Sequence, residues 1–191
     1  MSKTKYFLSY SHEHENKDKI QKIQETMKNW GHAINLSERE DKSKYNDETI
    51  WNYLKERISD SSLTILLYSE DLEERNKYKI EPSNNFRNSG WIYNEISASL
   101  RDWKDNRINA LICVIDEKIE NDFFYHDTIR TYKLPQILYK NEEYIVFAKY
   151  SKFINDNNYL DEKIKEALKN RKEQIEKNKF NINYELHRKR W

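Results

Sequence analysis

The chain has 191 residues, enough for one domain with an elaborated end, and its net charge of +1 supplies no overall field to draw nucleic acid or an anionic membrane. Hydrophobic residues make up 37% and charged residues 35%, but the apolar residues fall in runs and aromatics reach 14%, which excludes a disordered chain. A single cysteine, Cys113, excludes an internal disulfide and a Cys-rich zinc site. With two glycines there is neither a Gly-x-Gly-x-x-Gly nor a Walker A loop, so any nucleotide must be held by side chains and helix N-termini.

In chain order, Tyr6–Ser11 is a short apolar run that ends in hydroxyls and reads as a first buried strand. Ile20, Ile23, Met27 and Trp30 mark one face of a helix that Gly31 terminates, and 32–36 is a short second strand. A very polar loop follows from Ser37 to Asn46. Asp47 opens the next helix with an acidic first turn and the stripe Ile50, Leu54, Ile58, with Trp51 alongside. Leu63–Tyr68 is continuously apolar, as in a strand covered on both faces.

Residues 71–90 read as a long polar connection, an insertion or lid containing Pro82. A helix then runs from Trp91 to about Asp105, and Ile108–Ile115, which holds Cys113, is a fourth strand. Asp122–Tyr132 has aromatics without a clear period. Residues 143–148 look like a last strand, Tyr159–Lys177 is a helix with the stripe Leu160, Ile164, Leu168 and Ile175, and Asn178–Trp191 is a polar, mildly basic tail. No apolar stretch approaches the ~18 residues that span a bilayer, and Met1–Tyr6 lacks the apolar core of a signal peptide, so a cytoplasmic protein is expected.

Strands alternating with helices imply a parallel sheet covered on both faces, whose ligands bind at the carboxyl ends of the strands. That rule brings Ser9, Tyr10, Ser11, His12, Ser69 and the start of the Trp91 helix to one rim. On that helix Trp91 and Glu95 are four apart and share a face, while Ile92, Ile96 and Leu100 form the buried stripe. Trp91 is readable either as a core anchor or as a stacking platform. His12 and His14 flank Glu13 on a loop without further ligands, so no metal is expected.

Three segments together resemble a bacterial TIR domain, specifically the TIR-like group that includes the NAD-consuming subunit of Thoeris antiphage defence. They are the strand Tyr6–Ser11, the helix and strand Ile50–Tyr68 with its Ile-Ser-Asp-Ser-Ser junction, and Trp91-Ile92-Tyr93-Asn94-Glu95-Ile96, similar to the family's Trp-x-x-x-Glu-Ile helix. The resemblance covers roughly residues 3–116, and the family reaches this last helix in far fewer residues than the connection 71–90. It implies a flavodoxin-like α/β fold with a parallel sheet of about five strands: a TIR-like domain over 1–150, and a C-terminal helix with a polar tail over 151–191.

The resemblance also implies cleavage of the nicotinamide glycosidic bond of NAD, giving ADP-ribose or a cyclic isomer used as a signal. Glu95 is then catalytic, and Trp91, Ser9, Tyr10, Ser11, His12 and Ser69 line the substrate site. NAD is substrate and no permanent cofactor is implied. The implied partners are a phage-derived trigger, an effector sensing the cyclic product, and other TIR domains, without membrane or nucleic acid. The alternative is a non-catalytic TIR-like scaffold that associates through the polar loop Ser37–Asn46.

Overall fold

The computed structural model describes residues 3–37, 47–77, 92–103 and 107–184. The expected loop beyond Ser37, most of the 71–90 connection, Trp91 and the His187–Trp191 terminus lie outside the described residues.

The elements run β1 (Thr4–Ser9), a 3-10 turn (His14–Asn16), α1 (Lys17–Asn29), β2 (Ala33–Asn35), α2 (Asp47–Asp60), β3 (Leu63–Tyr68), α3 (Glu70–Lys77), α4 (Ile92–Ser99) and β4 (Ala110–Ile115). After β4 come α5 (Glu120–Phe123), the hairpin β5 (Phe124–Tyr125) and β6 (Thr128–Ile129), α6 (Gln136–Tyr139), β7 (Val146–Lys149), α7 (Tyr150–Asn155) and α8 (Asn157–Lys177). Five strands form one parallel sheet in the order β2-β1-β3-β4-β7. This is the flavodoxin-like α/β arrangement that the sequence leads one to expect of a TIR domain.

Strand parity sorts the side chains between the two faces. Tyr6 and Leu8 of β1, Leu63, Ile65 and Leu67 of β3, and Ala110, Ile112 and Val114 of β4 pack with Ile20, Ile23 and Met27 of α1 and Leu160, Ile164 and Ala167 of α8. The opposite parity faces α2 and α4. Phe7 meets Leu54, Ile58 and Ala98, while Leu66, Leu111, Cys113 and Ile115 join Ile92, Ile96 and Leu100. The stripes expected on α1, α2 and α4 are therefore the buried ones.

Helix ends follow local chemistry. Gly31, at φ 79°, takes the left-handed conformation that closes α1. Asp156 caps α8 by accepting from the backbone N–H groups of Asn158 and Tyr159, and Asn178 closes it in the left-handed region. Because α8 shares its core with β7, the C-terminal helix is packed on the domain rather than extending from it.

Several boundaries differ from the sequence reading. The connection from 71 opens as a helix, α3, whose Leu72 is fully buried among Ile92, Tyr93 and Ile96. Its Glu-Asp-Leu-Glu-Glu-Arg composition hides a single apolar anchor. Helix α4 stops at Ser99 instead of near Asp105, because Ser99 Oγ donates back to the Glu95 carbonyl and the Ser99 carbonyl accepts from Asn109 N. The stretch 178–184 is docked: Phe180 stacks edge-on against Tyr144, and Asn183 and Asn141 exchange two hydrogen bonds of 2.7 Å.

Candidate active site

The parity that buries Phe7 against α2 and α4 also directs Ser9 to that side, at the carboxyl end of β1. Glu95 lies in the first turn of α4, where the helix dipole favours a carboxylate. Ser9 Oγ donates to Glu95 Oε2 across 2.5 Å, the short separation typical of a hydroxyl bonded to a carboxylate. Both residues are nearly closed to solvent, Ser9 at 1% and Glu95 at 6% exposure. A carboxylate so placed is costly to bury without donors, so the serine both stabilises and orients it.

Helix α4 is fixed from its other end as well. Ser99 Oγ lies 2.8 Å from Thr64 Oγ1 of β3, and Asn109 Nδ2 reaches Thr64 Oγ1 and Ser61 Oγ. These buried bonds set the height of α4 along the sheet and with it the position of Glu95.

The remaining rim residues separate by the same parity. Ser69 continues the side of Leu67, facing α1, and its hydroxyl donates to Asp71 Oδ1 at 2.5 Å while accepting from Asn16 Nδ2 at 3.4 Å. The structure thus brings Ser9 to Glu95 and sends Ser69 to the opposite face. Ser11 is buried and its carbonyl accepts from Asn16 Nδ2. The Tyr10 and His12 rings meet on the β1 loop with centroids 4.7 Å apart and planes tilted by 44°, and His12 is exposed. Asp116, directly after β4, is buried on the α1 side. There its carboxylate accepts from Lys19 Nζ at 2.5 Å and from the Lys118 N–H.

Two members of this rim escaped sequence reasoning. Asn16 precedes α1 at a position that reads as an ordinary helix cap, but its side chain caps nothing and turns to the rim instead. Asp71 sits inside a run of acidic residues and carries no distinguishing spacing.

Two cavities lined by described residues lie away from Glu95. One of about 560 Å³ is lined by Asp102, Arg107, Gln174 and Phe180 near the amino end of β4, and one of about 510 Å³ runs beside the edge strand β2. Among the described residues, no group of three or more His, Cys, Asp or Glu is arranged to hold a metal ion. No described helix is long and apolar enough to cross a membrane.

Residues 7–81 match the family model described as the TIR-like domain of Thoeris protein ThsB. The match begins within β1, runs past α3 and ends before the helix that carries Glu95. No solved structure matches this chain.

Proposed function

From the match of residues 7–81 to the Thoeris TIR-like domain, we propose that this protein acts in antiphage defence by cleaving the nicotinamide glycosidic bond of NAD. The observation that carries the reading is the buried Ser9–Glu95 pair at the carboxyl rim of the parallel sheet, where open α/β sheets bind their ligands. The chemistry needs little machinery. Nicotinamide is a cation in NAD and departs neutral, so no acid has to protonate it. Positive charge then develops on the ribose carbon, and the Glu95 carboxylate stabilises that charge or captures the carbon covalently.

Water then completes hydrolysis to ADP-ribose, releasing a proton. Where water is kept out, a ring nitrogen of the same molecule's adenine attacks the ribose carbon and the product is cyclic. Trp91, four positions before Glu95 in the sequence, is the proposed stacking platform for a substrate ring. Ser9 orients the carboxylate, and Tyr10, Ser11 and His12 are proposed to flank the substrate on the β1 loop. The test is incubation with NAD, in the presence of whatever activates the protein, followed by mass spectrometry of the products. Free nicotinamide together with ADP-ribose or a cyclic isomer supports the reading; intact NAD under every activating condition refutes it.

The second reading is an interaction scaffold without turnover. It is favoured by Ile34, which stands 39% exposed on the short edge strand β2, where a neighbouring TIR domain could add its own backbone. Self-association through this edge with NAD left intact is its signature.

A further inference from the structure

We infer that Asn16 is a positioning residue for the rim, holding the β1 loop and helix α3 in place around Glu95. The inference rests on the NAD reading for its catalytic consequence and on geometry alone for its structural one. Asn16 is 3% exposed, and its amide nitrogen faces three acceptors from three parts of the chain. These are the Ser11 carbonyl at 3.2 Å, Ser69 Oγ at 3.4 Å and Asp71 Oδ1 at 3.0 Å. Two N–H groups thus serve three oxygens, and the side chain acts entirely as a donor to them.

Each of these acceptors leads toward the site. Ser11 follows closely on Ser9, whose hydroxyl holds Glu95. Ser69 directly follows β3, and Asp71 lies in the first turn of α3. Leu72, the next residue, is buried in the same apolar cluster as Ile92, Tyr93 and Ile96 of α4. Asn16 therefore ties together the two segments that flank Glu95, one through a hydrogen bond and one through packing. A helix cap does not explain this side chain, because Asn16 makes no capping bond to α1. Lys19, one turn further on, grips Asp116 at the end of β4, so the amino end of α1 clasps the carboxyl ends of three strands.

Asn16→Asp tests the inference because it keeps the shape and reverses the hydrogen-bond sense, setting a carboxylate against Asp71. Hydrogen exchange should quicken about tenfold or more in Ser9–Ser11 and in Glu70–Lys77, while α8 is unchanged. Turnover of NAD should fall by about 10- to 100-fold in kcat with KM held within about threefold, because substrate binding is retained while the reacting geometry loosens. Asn16→Ala should be no worse than Asn16→Asp. The double variant Asn16→Asp/Asp71→Asn restores a donor–acceptor pair in the opposite sense and should recover protection of α3.

If Asn16→Asp exchanges and turns over like the wild type while Asn16→Ala does not, the residue merely fills space and the inference is overturned. If Asn16→Asp does not fold, failure of the double variant to restore protection overturns it as well. If the wild type leaves NAD intact but exchange responds as expected, the clasp stands and the NAD reading falls.

Discussion

The Ser9 hydroxyl donates to Glu95 Oε2 across 2.5 Å, although 86 positions of sequence separate the two residues. One belongs to the first strand and the other to a helix, α4, that comes only after α1, β2, α2, β3 and α3. They meet because β1 and β3 are register-paired neighbours, Ser9 opposite Leu66, and because α4 crosses the face to which Ser9 points.

Removing this hydroxyl isolates its contribution. Ser9→Ala leaves the buried carboxylate of Glu95 without that donor, so stability should fall by about 1–3 kcal/mol. NAD turnover should fall about tenfold or more, mainly in kcat, as an oriented carboxylate becomes less well held. Thermal melting beside steady-state kinetics checks both. Unchanged turnover in a folded Ser9→Ala protein means that the serine is not part of the catalytic arrangement.

The ion pair between Lys19 and Asp116 is the second measurable feature of the rim. Asp116 is 1% exposed and Lys19 reaches it from α1 at 2.5 Å. Lys19→Met keeps the aliphatic stem but strands the carboxylate, and breaking one partner of a buried pair costs about 3–5 kcal/mol. Double variants with Asp116→Asn should recover part of that loss. Denaturant unfolding of the three variants gives the coupling, and a Lys19→Met protein as stable as the wild type removes the pair from the account.

Cys113 should behave as an inert core atom. It is fully buried in β4 between β3 and β7, and burial pushes its thiol well above the usual range, so almost no thiolate exists at neutral pH. A thiol-specific disulfide reagent should label it only on unfolding, at the rate of global opening. Rapid labelling of the native protein contradicts the burial described.

How much of this was legible beforehand depended on the kind of signal. Strand β3 begins and ends where its run of buried residues does, since a strand covered on both faces carries no charged residue to blur its limits, and its one hydroxyl outside Tyr68, on Thr64, is hydrogen-bonded inside the core. The buried stripe Ile92, Ile96 and Leu100 followed from helical spacing. The rim rule placed Glu95 and Ser9 together, but it could not say that Ser69 points the other way, because that requires knowing which strand parity faces which helix layer. Helix α3 was hidden by its charge, with Leu72 alone to anchor it. Asn16 was illegible for another reason: its residue type suits a helix cap, and only the three acceptors around it reveal a different use.

The most direct test of the central claim compares wild type with Glu95→Gln in an activated NAD-cleavage assay, with melting temperature measured alongside. Gln is nearly isosteric and still accepts a hydrogen bond from Ser9, but it carries no charge to stabilise a developing cation and is no nucleophile. Glu95→Gln should keep the fold and lose about 10²- to 10³-fold in turnover, the scale of one preorganised electrostatic contact, with a larger loss pointing to covalent capture. Turnover of NAD by Glu95→Gln at the wild-type rate and the wild-type melting temperature would contradict that claim.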